Sequence, residues 1–97
     1  MNKIQRFQDL MKELYLSRDR KRGTYKTMLK LVEEVGELSE ALLFDDKAKI
    51  EEEIADVIAW TLSIANLYDI DTEEAFNRKY FNKCPKCHNN PCTCNSI

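Results

Sequence analysis

The chain has 97 residues, 43% hydrophobic and 33% charged, with two Gly, two Pro and a net charge of −2. That length fits one domain with a modest core of its own, so assembly into a homodimer or homotetramer is expected to help bury its apolar faces. The composition points away from a disordered or all-β chain, and the charge gives no electrostatic case for gripping a nucleic-acid backbone. No run approaches the roughly 18–20 apolar residues of a membrane span, and the polar N-terminus lacks a secretory apolar segment, so a cytoplasmic protein is expected.

Ile4, Phe7, Leu10, Met11 and Leu14 recur at three- and four-residue spacing and predict a first helix from about residue 4 to 18. Arg18 to Arg22 form a local basic run, read as a solvated helix end or a phosphate-facing loop, and Gly23 interrupts the pattern. Thr24 is placed to cap a second helix running to about Phe44, after which Asp45 and Asp46 make a short polar break. A third helix is predicted from about Lys47 to Tyr68, with acids in its first half and a near-continuous apolar body that marks it as largely buried. In D-T-E-E, Asp71 can accept from free backbone N–H groups while Glu74 reaches back, opening a fourth helix to about Asn82. The reading is one all-α, four-helix domain over residues 1–83, followed by a cysteine-rich tail over 84–97.

Two acidic clusters interrupt the apolar pattern: Glu33, Glu34 and Glu37 in LVEEVGEL, and Glu53 and Asp56 in EEEIADVIAW. At about 100° per residue the first three share one helix face, opposite Val32, Val35, Leu38 and Leu42. Ionised carboxylates among apolar residues cost several kcal/mol unless a cation or hydrogen-bond donors compensate them. Packed antiparallel, the two helices could bring Glu34 and Glu37 opposite Glu53 and Asp56. An all-oxygen set without histidine or thiolate suits Mg²⁺, with Mn²⁺ as a substitute. A di-iron bundle would need Glu-x-x-His pairs, and the only histidine, His88, lies outside the helices. Glu51 and Glu52 read as a solvated helix face. Lys30, a turn before the acids, either pairs with a carboxylate or faces a substrate phosphate. Phe7, Tyr15, Tyr25, Trp60 and Tyr80 could stack on a base, although aromatics at helical spacing equally make a core.

The run Glu33-Glu34-x-x-Glu37 followed by Glu53-x-x-Asp56, set in EEVGELSEAL with Ala41 after the third acid, resembles the E-E-x-x-E…E-x-x-D signature of MazG-like nucleoside triphosphate pyrophosphohydrolases. These belong to an all-α superfamily that also holds dimeric dUTPases and phosphoribosyl-ATP pyrophosphohydrolase. RDRKRGTYKTMLKL resembles the lead-in of the short members, and the similarity spans roughly residues 4 to 82. The resemblance implies Mg²⁺-dependent hydrolysis of a nucleoside triphosphate between its α and β phosphates, giving monophosphate and pyrophosphate, as in nucleotide-pool cleaning. It implies Glu34, Glu37, Glu53 and Asp56 as metal ligands and Glu33 as the acid that orients or deprotonates water, a role it could exchange with Glu34. It also implies substrate contacts from Asn77, Arg78 and Lys79, which equally suit an exposed helix end. With one copy of the motif, the active site would be completed by oligomerisation. The competing class is a helical interaction module whose acids bind a structural metal.

All four cysteines fall near the C-terminus: Cys84-x-x-Cys87 and Cys92-x-Cys94 place four thiols within eleven residues. In a reducing compartment they are available to one structural Zn²⁺, with Pro85 and Pro91 shaping the turns and His88 able to replace a thiol. A reactive tail or disulfides are the other readings.

Overall fold

A computed structural model describes residues 3–95 as four helices, α1 (Lys3–Arg22), α2 (Thr24–Leu43), α3 (Lys47–Leu67) and α4 (Thr72–Lys79), followed by turns and bends, with no strand among the described residues. α1 continues through the basic run to Arg22, four residues beyond the predicted end, because Asp, Arg and Lys are all tolerated in a helix. Gly23 is what stops it. Its φ of 92° lies where side chains with a Cβ are disfavoured, and its N–H closes the last turn on the Asp19 carbonyl at 2.9 Å. The same residue opens α2, whose first turn is held by the Thr27 backbone N–H and hydroxyl, both donating to the Gly23 carbonyl. Thr24 therefore does not act as the cap: it is already helical, and no side chain caps this end.

Three residues, 44–46, fold α3 back against α2. Asp45 adopts a left-handed conformation, and the Asp46 carboxylate accepts from the Lys49 N–H, capping α3. α3 packs on both α2 and α1, while α4 packs on α1. At the start of α4, Asp71 accepts from the Glu74 N–H as expected, but the Glu74 carboxylate pairs with Arg78 one turn on instead of reaching back. The helix ends at Lys79 rather than near Asn82, which itself turns left-handed.

A buried glutamine ties these elements together. Gln8 Nε2 donates to Asn66 Oδ1 at 3.0 Å and to the Ile70 carbonyl, its Oε1 accepts from the Thr72 N–H, and its own carbonyl accepts from Asn66 Nδ2. It thus joins α1 to the end of α3 and the start of α4.

The expectation that α3 is largely buried is not met within one chain. Ile54 and Ile58 are about half exposed, as are Phe7, Leu10 and Leu14 of α1 and Val32 and Val35 of α2. The buried apolar residues among those described are Ala41, Leu62 and Ala65. A compact monomer of 11.4 kDa exposes about 5,800 Å², whereas this chain exposes 7833 Å². Its radius of gyration is 15.6 Å, against about 13 Å for a compact domain of this length.

Candidate active site

The hairpin of α2 and α3 brings the two acidic clusters together. Carboxylate oxygens of Glu34, Glu37 and Glu53 lie within 4.8 Å of one another, and so do those of Glu52, Glu53 and Asp56. Glu53 belongs to both sets. It is only 2% exposed, its Oε1 is buried without a hydrogen-bond partner, and its Oε2 has Lys49 Nζ at 3.6 Å. One ammonium, itself half exposed and shared with Glu52, does not offset the desolvation of such a carboxylate. An orphaned oxygen at the junction of two carboxylate sets fits a hard cation by donor type.

Glu34 registers the same crowding. Burial first, then the negative charges of Glu37, Asp56 and Glu53, raise its pKa above the usual carboxylate value of 4.5. Asp56 is half-buried rather than enclosed, and it lines a cleft of about 340 Å³. Glu33 stands outside both sets, exposed, with Lys30 Nζ at 3.8 Å. Lys30 thus has a carboxylate partner and also lines the cleft. Glu52 is exposed, as expected of a solvated helix face, although one of its carboxylate oxygens lies near those of Glu53 and Asp56.

The basic run resolves into a cleft wall. Arg18, Asp19 and Arg22 line the same cavity as Asp56 and Trp60. Asp19 is 1% exposed; Arg22 Nη1 donates to its Oδ1 at 2.7 Å, while its Oδ2 has no partner. The Arg22 guanidinium also lies over the Trp60 ring, 5.0 Å from its centroid, so two contacts fix its position. Asp19 was invisible in sequence because acids inside R-D-R-K-R read as solvated charge.

The fourth helix contributes nothing to this cleft within one chain. Asn77 lines shallow grooves beside Gln5 and Ile4, Arg78 is paired with Glu74, and Lys79 Nζ lies 5.6 Å from the Tyr80 ring centroid. In the tail the four cysteine sulfurs lie within 4.8 Å of one another. Backbone N–H groups, chiefly that of Thr93, pull the Cys87 thiol down to about 5, whereas hydrogen bonding to the other sulfurs, Cys92 first, pushes Cys94 up to about 12.

Compared with known families, the chain matches the MazG nucleotide pyrophosphohydrolase domain over residues 22–90, more than two thirds of its length and all five acids of the signature. No significant match is found among curated proteins. Among the described residues, no helix is long and apolar enough to cross a membrane.

Proposed function

Because the chain belongs to the MazG nucleotide pyrophosphohydrolase family, we propose that it is a Mg²⁺-dependent hydrolase of nucleoside triphosphates that attacks the α phosphorus with water and breaks the bond to the bridging oxygen of the β phosphate. The products are a nucleoside monophosphate and pyrophosphate. The observation that carries this reading is the buried, unpartnered Glu53 oxygen at the junction of two carboxylate sets.

In this reading Glu34, Glu37, Glu53 and Asp56 hold the cation, or Mn²⁺ in its place. When bound, Mg²⁺ neutralises charge on the polyphosphate. Glu33, the signature acid outside both sets, orients the attacking water and accepts its proton. Arg18, Arg22 and Lys30 provide positive charge along the cleft for the phosphates. Asn77 and Lys79, remote from the cleft of their own chain, serve a neighbouring protomer's site in a homo-oligomer. The uncovered apolar faces support that assembly.

The test is Asp56→Asn with product analysis. The unmodified protein, given each common nucleoside triphosphate and Mg²⁺, should release monophosphate and pyrophosphate. The variant should lose about 100-fold or more in turnover while keeping its helical circular dichroism. Diphosphate and orthophosphate would overturn the cleavage site, and loss of fold in the variant would favour a structural metal in an interaction module.

A further inference from the structure

The geometry points to a second metal centre of different chemistry: a closed tetrathiolate Zn²⁺ site formed by Cys84, Cys87, Cys92 and Cys94, separate from the carboxylates. Zinc bonds thiolate sulfur at about 2.3 Å, and the edge of a tetrahedron with that radius is about 3.8 Å. Cys84 and Cys94 sulfurs are 3.8 Å apart, and those of Cys87 and Cys92 are 3.9 Å apart. A disulfide would need about 2.05 Å. These two pairs stand at the separation that an intervening ion sets, and all four sulfurs lie within 4.8 Å of one another.

The backbone around them is arranged for thiolates. The Lys86 N–H points at Cys84 Sγ at 3.4 Å, the Thr93 N–H at Cys87 Sγ at 3.3 Å, and the Cys94 N–H at Cys92 Sγ at 3.3 Å. Such donors disperse the negative charge that four thiolates leave around a divalent ion. His88, directly after Cys87, has φ 63°, which lets the chain double back. Its N–H donates to the Cys84 carbonyl at 2.8 Å, and the Cys84 N–H donates to the Asn89 carbonyl at 3.0 Å, closing a tight loop around the first thiol pair. His88 is therefore a turn residue, and the ligand set is complete without it. Soft thiolates select zinc over the hard cation proposed for the carboxylates, and four protein ligands leave no position for substrate. The site is structural.

Among the hydrogen bonds of the described residues, one from Asn90 Nδ2 to the Asn82 carbonyl at 2.9 Å is all that joins the loop to the chain before it. The ion would accordingly order the tail and leave the helices as they are.

The test uses the full chain, purified under reducing conditions, supplied with Zn²⁺ and desalted. Elemental analysis should find one zinc per chain, and titrating the thiols with a mercurial reagent should release it in proportion. Cys84→Ser/Cys87→Ser should lose the zinc with unchanged helical circular dichroism. Absence of zinc from the unmodified protein, iron in its place, or an intact mass short of two hydrogens per disulfide would each overturn the site. So would zinc retained after mercurial titration, which would place the ion on the carboxylates and needs no folded variant to detect.

Discussion

Glu34 and Glu53 bear the cost of the acidic cluster in different ways: one holds its proton too tightly, the other lacks a donor. For Glu34 the sign follows directly. Its folded pKa is raised, so in the metal-free protein it adds stability below the ordinary value of 4.5, and that contribution is lost as the pH climbs through the raised value. Glu34→Gln, which keeps a neutral side chain at every pH, should melt above the unmodified metal-free protein at pH 7, with the gap closing towards pH 4. Mg²⁺ should raise the melting temperature of the unmodified protein more than that of the variant. Calorimetry across that range checks both, and parallel curves would remove the repulsion argument. At this scale the spacing of E-x-x-E and E-x-x-D was legible, since period alone predicts a shared helix face. The burial of Asp19 was not, because only tertiary packing separates a desolvated acid from the solvated charges beside it.

At the scale of elements, Gly23 joins the helix that carries Arg22 to the helix that carries Glu34 and Glu37. A Cβ there would meet nothing within 4 Å, so the cost of Gly23→Ala is backbone strain from its φ of 92°, not a clash. With ψ 155° this is extended positive-φ backbone that essentially only glycine adopts, a strain of about 1–3 kcal/mol, which lowers the melting temperature of a domain this size by about 4–8 °C per kcal/mol. A thermal melt showing no change would mean that the turn relaxes freely. Element positions were readable from sequence: the Gly23 break, the Asp46 region and the Asp71 cap all fall where turn chemistry predicts. The orientation of α1 was not. Its apolar residues have clear helical spacing, yet Phe7, Leu10 and Leu14 stay exposed while Gln8 is buried by its hydrogen bonds. Periodicity reports that a helix has an apolar face, without saying which chain covers it.

For the whole molecule, the chain exposes roughly 2,000 Å² more than a compact monomer of its mass, part of it on the exposed cysteine tail. A mainly apolar groove is lined by the exposed Phe7, Leu10, Tyr15 and Ile58, with the buried Leu62 and the half-buried Asp56 also in its wall. Homo-oligomerisation over it would bury the ridge of α1 and the outer face of α3 together. Ile58→Glu should weaken that association by about 2 kcal/mol, roughly 30-fold in the dissociation constant. Sedimentation over a concentration series checks it, and an unmodified protein that sediments as a monomer throughout would refute the assembly.

The three-residue connection between α2 and α3 has a consequence in time. All four proposed cation ligands lie within residues 34–56 of that one hairpin, so the contacts that assemble the site are among the most local in the chain. The hairpin cannot close without forcing its carboxylates together, and repulsion is therefore met on the way to the native state rather than after it. Divalent cations should accordingly speed refolding more than they slow unfolding, raising the folding arm of a denaturant chevron more than they lower the unfolding arm.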